Sequence, residues 1–135
     1  MIRQLKLTDY NEFLKLISEF RNTNFTYEEY YNFLNNNNNT EIWVYENNDC
    51  LLGTATLLIE NKFIHNMGKV GHIEDVVISN ELRGHGIGKI LINFLINRGK
   101  ELGCYKLVLN CENTIENFYI KCGFETSGIH MDYRF

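Results

Sequence analysis

Glycines alternate with other residues in the segment 83–88, R-G-H-G-I-G, which lies between the apolar run 76–78 and an amphipathic segment that begins near Lys89. Glycine lets backbone N–H groups approach an anion closely, and a helix that starts here adds unpaired donors and the positive end of its dipole. The segment is therefore predicted to bind a diphosphate, assisted by the charges of Arg83 and Lys89. The predicted diphosphate-binding residues are Arg83, Gly84, His85, Gly86, Ile87, Gly88 and Lys89.

Other phosphate-binding motifs do not fit this segment. A Walker A loop needs a serine or threonine after its lysine, and Lys89 is followed by Ile90. A dinucleotide-binding G-x-G-x-x-G motif needs a third glycine where Lys89 stands, and it normally occupies the first strand-to-helix turn of its domain. The pattern that remains is [Q/R]-x-x-G-x-[G/A], which Arg83, Gly86 and Gly88 satisfy.

Glu74 and Asp75 are consecutive carboxylates in an otherwise apolar, strand-like run. Because neighbouring residues of a strand face opposite sides, the two cannot both be surface charges at a sheet edge, and at least one is predicted to point into a site. A structural salt bridge is the alternative interpretation of the pair.

The composition is that of a folded protein that binds neither nucleic acid nor membranes broadly. The chain has 135 residues, 44% of them apolar, so one domain over 1–135 is expected. The formal net charge of −4 argues against broad nucleic-acid or anionic-membrane binding. No apolar run approaches the roughly 20 residues of a membrane span, and the first six residues contain no secretory apolar region, so the sequence predicts a cytoplasmic protein.

The four cysteines form no C-x-x-C pair and lie in apolar sequence surroundings. Disulfides or a zinc site are the alternatives, but this pattern favours reduced thiols in the core, and no metal is predicted. These residues are Cys50, Cys104, Cys111 and Cys122.

Hydrophobic periodicity predicts the elements that position these groups. Helices are predicted after Thr8-Asp9, after the Thr26-x-x-Glu29 capping box, over the stripe Ile87, Ile90, Leu91, Phe94 and Leu95, and over 115–121. Strands are predicted at 2–7, 42–45, 51–60, 70–78, 106–110 and 129–135, with the asparagine run 35–39 as a solvated loop.

The order of these elements predicts an α/β protein with a mixed central sheet flanked by helices. A central βαβ crossover brackets the glycine-rich loop, so the ligand is expected near the carboxyl end of the central strand. The last strand is predicted from the alternation of apolar and polar residues between Ile129 and Phe135.

The glycine-rich loop resembles the coenzyme loop of the GNAT N-acetyltransferase superfamily. Three further segments, G-H-I-E-D-V-V-I at 71–78, L-G-C-Y-K at 102–106 and N-F-Y-I-K-C-G-F at 117–124, occur in the same order as in the eukaryotic glucosamine-6-phosphate N-acetyltransferases, which the sequence resembles from about residue 61 to residue 135. The first 60 residues agree with that family mainly in length and pattern.

The resemblance implies a GNAT fold that binds acetyl-CoA and transfers its acetyl group to the 2-amino group of glucosamine 6-phosphate, a step toward UDP-N-acetylglucosamine. In this superfamily the amine attacks the thioester directly, so neither a nucleophilic cysteine nor a metal is implied. The protein must hold both partners, receive a proton, stabilise an oxyanion and help the thiolate leave.

The resemblance also implies roles for particular residues. Backbone groups of Val76, Val77 and Ile78 pair with the pantetheine arm, and a backbone N–H at a bulge there polarises the thioester carbonyl. Tyr119 is implied as the acid that protonates the coenzyme thiolate, although a purely packing role for this tyrosine is the alternative. Glu74 and Asp75 are implied to orient the amine or relay its proton, and a backbone-held water is the alternative base.

The remaining implied residues concern the sugar phosphate. Lys62, His65 and Arg134 match positions that gather around the phosphate, in a homodimer whose pocket draws on both subunits and whose C-terminal strand lies at the interface. Asn110 is a departure, because the family usually has an aspartate there, and the substrate-contacting carboxylate becomes a neutral amide.

Two other functions compete with this interpretation. One is a GNAT enzyme that acetylates another small amine or a protein N-terminus. The other is a catalytically silent coenzyme A binder, which the presence of Glu74, Asp75 and Tyr119 beside the loop disfavours.

Overall fold

A five-stranded mixed sheet organises the chain, and the computed structural model describes all residues from 1 to 135. The strands lie in the order β1-β2-β3-β4-β5, with antiparallel pairing except between β4 and β5. The strands are β1 (Ile2–Gln4), β2 (Thr40–Asn47), β3 (Cys50–Asn61), β4 (Lys69–Ile78) and β5 (Cys104–Val108).

Helices cover both faces of the sheet. The helices are α1 (Tyr10–Phe20), α2 (Tyr27–Asn35), the single turn α3 (Ile64–Met67), α4 (Ile87–Glu101) and α5 (Glu116–Lys121). The predicted capping box begins α2, because Glu29 N–H donates to Thr26 Oγ1 at 3.1 Å and Thr26 N–H donates to the Glu29 carboxylate at 2.7 Å.

Two separate hydrophobic cores lie on the two faces. Phe13, Leu16 and Tyr30 of α1 and α2 pack on one face, and the other core joins α4 and α5 to the sheet. The stripe predicted for α4 is partly wrong, because Ile92 is buried while Ile90 is exposed. The helix also begins at Ile87, two residues before the expected position.

The predicted crossover is confirmed, since β4, α4 and β5 form a parallel βαβ unit. Pairing between β4 and β5 begins at Lys69 and Cys104 and ends at His72 and Val108. Beyond His72 the edge of β4 that faces β5 has no strand partner, so the two strands enclose a gap.

The turn α3 is left-handed at residues that are not glycine. His65, Asn66 and Met67 have φ angles of 53°, 58° and 60°. The left-handed region costs an ordinary residue roughly 1–2 kcal/mol, so three in succession require surrounding contacts that hold them.

The predicted C-terminal strand is absent from the single chain. The four apolar side chains that suggested it, Ile129, Met131, Tyr133 and Phe135, are at least 85% exposed. A strand needs a neighbour for its backbone groups, and the alternation of this segment meets none within the chain.

The four cysteines are free thiols, but the expected core position holds only in part. Cys50 is exposed at the β2–β3 turn, whereas the half-buried Cys111 and Cys122 pack against the α4–α5 core and Cys104 is half-buried on β5. Burial raises the pKa of the Cys104 and Cys122 thiols. No helix has the length and apolar character needed to cross a membrane.

Candidate active site

A bulge distorts β4 at the point where its outer edge is free. One residue of β3, Ala55, lies opposite two residues of β4, Asp75 and Val76, because the register shifts between Thr54 and Thr56. Asp75 has a φ of 49°, the left-handed value that accommodates the extra residue. The bulge and the unpaired edge together let an extended ligand with amide groups pair with β4 as an added strand.

The bulge sends Glu74 and Asp75 to the same face of the sheet, contrary to the alternation expected from the sequence. Ile73 and Val76 both pack against the α4–α5 core although they are three positions apart. The two residues between them must therefore share the opposite face. Thr56, which pairs with Glu74, also lines the cleft that contains Asp75.

Each carboxylate lines its own cleft. Glu74 borders a cleft of about 720 Å³ whose wall includes Asn110 and whose rim is the segment 124–130. Asp75 borders a cleft of about 510 Å³ beneath α1 and α2. Neither carboxylate forms an ion pair, so the salt-bridge interpretation is wrong and both groups are free to meet a ligand.

The glycine-rich loop presents a row of unused backbone donors. Gly84 and Gly86 have φ angles of 84° and 83°, and a side chain at either position would meet no other atom within 4 Å. The space in front of the loop is therefore open, and glycine is required by the backbone conformation. Within this segment, the N–H groups that donate to no protein acceptor are those of Arg83, Gly84, Gly86, Ile87, Gly88 and Lys89.

The side chains around the loop make it positively charged. Arg83, His85 and Lys89 are exposed, and none of them contacts a carboxylate. The unpaired Arg83 and Lys89 cations beside the N-terminus of a 15-residue helix suit a diphosphate, whose charge they would neutralise. The residues present therefore fit the acidic part of a coenzyme A molecule.

Glu19 anchors the loop from α1, which the sequence reasoning missed. Its carboxylate accepts a hydrogen bond of 2.8 Å from the Asn80 N–H, just after β4 ends. The two residues are 61 positions apart, so no local pattern could have revealed the contact.

Tyr119 of α5 is buried against the bulged part of the sheet. It belongs to the same core as Ala55 and Ile73, and its ring lies edge-on to Phe118 and Phe124. Its hydroxyl makes no hydrogen bond to the protein. Burial raises the pKa of Tyr119 to about 12, and the nearby cysteine thiols add to the rise. The phenol therefore stays protonated at neutral pH and can donate a proton.

The residues predicted for the sugar phosphate are not gathered in one chain. Asn110 joins the Glu74 cleft, but Lys62 and His65 lie at the β3–β4 turn. That turn precedes the first residue of β4, Lys69. Because Lys69 is five residues from Glu74, roughly 16 Å along the strand, the turn and Glu74 lie far apart along β4. Arg134 lies in the exposed C-terminal segment, where its charge meets only Asp132 at 3.5 Å.

Two further groups face the clefts without having been predicted. His72 lines the Glu74 cleft, and its Nε2 lies 3.0 Å from the Glu60 carboxylate. Thr23 and Asn24, which join α1 to α2, line the Asp75 cleft. Only the two-residue spacing of His72 and Glu74 within a strand could have indicated one of these positions.

The chain is similar to known acetyltransferases over most of its length. The sequence model of the acetyltransferase (GNAT) family matches residues 7–124. A glucosamine 6-phosphate N-acetyltransferase of Candida albicans is 33% identical over 140 residues, covering 98% of this chain and 94% of the relative. The crystal structure of glucosamine-6-phosphate N-acetyltransferase from Arabidopsis thaliana superposes with a TM-score of 0.94 at 34% identity, covering 100% of this chain and 97% of that chain.

Other relatives align over a shorter stretch. The glucosamine 6-phosphate N-acetyltransferase sequence of Arabidopsis thaliana is 43% identical over 81 residues, which are 60% of this chain and 54% of the relative. A probable enzyme of the same name from rice matches at the same identity over 49% of its length, so the aligned part spans about half of these relatives. Because the family match covers nearly the whole sheet and both layers of helices, the chain belongs to the acetyltransferase (GNAT) family.

Proposed function

We propose that the protein transfers the acetyl group of acetyl-CoA to the 2-amino group of D-glucosamine 6-phosphate, which yields N-acetyl-D-glucosamine 6-phosphate and CoA. The observation that carries this proposal is the full-length similarity to enzymes of that name, combined with an unpaired β4 edge that ends at a donor-rich loop. The product is a precursor of UDP-N-acetylglucosamine in the family that the sequence resembles.

The coenzyme is placed along β4 in this proposal. Its pantetheine arm pairs with the backbone of Val76, Val77 and Ile78, and its diphosphate lies on the loop from Arg83 to Lys89. The pairing is supported by the edge that β5 leaves free, and the diphosphate site by the unused N–H groups. The thioester then lies at the bulge, where a backbone N–H stabilises the developing oxyanion.

The acetyl transfer needs no covalent enzyme intermediate. The neutral amine of the sugar attacks the thioester carbonyl carbon, a C–N bond forms, and the C–S bond breaks. The amine loses its proton toward Glu74, Asp75 or water held near them. The departing thiolate takes a proton from Tyr119, whose raised pKa keeps a proton available.

Acceptor competition tests the activity. Purified protein with acetyl-CoA should release free thiol quickly with glucosamine 6-phosphate and poorly with unphosphorylated glucosamine. Equal rates with both sugars would defeat the phosphate assignment, and faster release with an unrelated small amine or a peptide would favour the alternative acceptor.

We further propose a homodimer with the C-terminal segment at its interface. The alternating apolar side chains of 129–135 have no partner in the chain, and the residues predicted for the sugar phosphate are split between the β3–β4 turn and the Glu74 cleft. A second copy would cover the segment and bring the two groups together. Light scattering should give twice the chain mass, and deletion of 129–135 should give monomers. A monomeric full-length protein would contradict this proposal.

A further inference from the structure

The strained turn α3 is held from one side by an aromatic ring. The ring of Tyr105, on β5, lies against the His65 ring with 4.2 Å between centroids and 33° between planes. The Tyr105 ring also packs against Gly68, where an added Cβ would lie 2.7 Å from Tyr105 Cδ1. The ring therefore contacts both the middle of the turn and its end.

The rest of the turn has little packing. Backbone hydrogen bonds close it, from Met67 N–H to Phe63 O and from Gly68 N–H to Ile64 O, both at 3.1 Å. The side chains of Phe63, Ile64 and Met67 are exposed. Because left-handed residues persist only where their surroundings hold them, the Tyr105 contact is the side-chain interaction best placed to keep the turn in this form.

The turn carries two of the groups that the proposed function assigns to the sugar phosphate. His65 is the residue that stacks on Tyr105. Lys62 is tied to the same turn, because its N–H donates to Gly68 O at 2.9 Å. A turn that relaxed toward the ordinary right-handed or extended backbone would move both side chains away from their present positions.

We propose that Tyr105 is a positioning residue for acceptor recognition: its ring holds the left-handed turn so that His65 and Lys62 meet the phosphate of the sugar in a fixed arrangement. This inference rests on the proposed function. It explains why an exposed tyrosine follows Cys104 on β5, since its hydroxyl makes no hydrogen bond and its ring makes both contacts. A group that acts on the phosphate alone should influence phosphorylated acceptors and leave the coenzyme site unaffected.

The experiment compares Tyr105→Ala with Tyr105→Phe, which keeps the ring. We expect Tyr105→Ala to raise the KM for glucosamine 6-phosphate about tenfold, whereas kcat/KM for unphosphorylated glucosamine changes less than about twofold. The coenzyme Kd from calorimetry should be unchanged, and Tyr105→Phe should behave like the wild type. Tyr31→Ala, which removes an exposed aromatic ring from α2, is the matched control.

Two more variants keep the test decisive if Tyr105→Ala folds poorly. Tyr105→Leu keeps apolar bulk without the flat ring. Gly68→Ala adds a Cβ that would lie 2.7 Å from Tyr105 Cδ1 and 3.0 Å from His65 O, so it displaces the ring and crowds the turn, although the φ of −69° suits alanine. Both should raise the KM for the phosphorylated sugar in the same direction.

Three results would overturn the inference in distinguishable ways. An unchanged KM in Tyr105→Ala and Gly68→Ala, with a normal wild type, would defeat the positioning role alone. Equal losses with both sugars would reduce Tyr105 to a structural residue. A wild-type protein that does not acetylate glucosamine 6-phosphate would defeat the proposed function and this inference with it.

Discussion

The coenzyme half and the acceptor half of the candidate site are built in opposite ways. The residues assigned to the coenzyme occupy one continuous stretch, 76–89, that runs from a strand edge through a glycine-rich loop into a helix. The residues assigned to the acceptor come from the β3–β4 turn, the bulge, the segment after β5 and the C-terminal segment. The residues assigned to the coenzyme are local in sequence, while those assigned to the acceptor are scattered along the chain.

The difference follows from what each ligand offers. A diphosphate and an amide chain are recognised by backbone donors and acceptors, which a strand edge and a helix N-terminus supply regardless of side chains. A sugar phosphate needs several side chains of chosen charge around a small volume, which only distant parts of the chain can provide. The two halves should therefore fail independently when they are perturbed.

The largest expected effect is on kcat, and it should occur without a change in coenzyme binding. Tyr119→Phe removes only the hydroxyl, which has no protein partner, and keeps the packing against Phe118 and Phe124. We expect kcat to fall about 100-fold, within the range for loss of a general acid, with little change in the coenzyme Kd. Tyr10→Phe, which loses a hydroxyl that donates to Phe25 O at 2.6 Å, is the control and should keep its kcat. Unchanged turnover in Tyr119→Phe would remove this tyrosine from the mechanism.

The next effect concerns the coenzyme half. Gly86→Ala forces an L side chain into a φ of 83° at the helix start, so we expect the loop to shift and the coenzyme Kd to rise about tenfold. Gly103→Ala carries the same backbone strain, at 81°, at the far end of α4 and should lose stability without losing affinity. Calorimetry with CoA and thermal unfolding measure the two quantities. Equal affinity losses in both variants would mean that the loop has no special role.

A smaller effect, on stability, tests how firmly α4 is attached to the sheet. Arg98 of α4 donates to the Glu41 carboxylate of β2 at 2.9 Å and 2.6 Å and lies over the Trp43 ring. Arg98→Met should lower the free energy of unfolding by about 1 kcal/mol, because the pair is partly buried and bidentate. Urea unfolding measures this loss, and Lys100→Met on the same helix is the control. A changed coenzyme Kd in Arg98→Met would show that the Arg98–Glu41 ion pair and the glycine-rich loop are coupled, contrary to this expectation.

The smallest effect is the pH dependence of the stability that the Arg98–Glu41 ion pair contributes. Hydrogen bonds from Arg98 hold the pKa of Glu41 below its ordinary value of 4.5, despite the opposing effect of burial. A carboxylate with a lowered pKa stabilises the fold above the pKa of the unfolded chain, and the contribution is lost as pH falls through the folded pKa. The stability difference between wild type and Arg98→Met should therefore shrink below about pH 4.5. A difference that stays constant between pH 7 and pH 3 would contradict an ionic origin.

Much of the local structure could be predicted because it depends on near neighbours. The Thr26 and Glu29 side chains cap backbone groups three residues away, and Gly84 and Gly86 adopt the positive φ angles that favour glycine. The β2–β3 hairpin and the βαβ crossover follow from apolar periodicity interrupted by turn residues. These features include the strand edge, the loop and the helix start to which the coenzyme is assigned.

The acceptor half could not be derived in the same way. The expectation that Glu74 and Asp75 face opposite sides was wrong because a bulge depends on the register between β3 and β4, which periodicity does not encode. The C-terminal alternation predicted a strand that the single chain does not form, because no neighbouring strand pairs with it. The position of Arg134 in a complete site therefore stays a prediction.

By itself the sequence determined the βαβ unit, the cap of α2 and the glycine-rich loop, since each depends on residues within a few positions of one another. Tertiary structure alone decided that β5 diverges from β4 after His72, that Glu19 reaches Asn80 and that Tyr105 contacts a left-handed turn. The physical reason is that strand register and side-chain contacts between distant segments arise from packing the two cores together, a cooperative choice that no short window of residues contains.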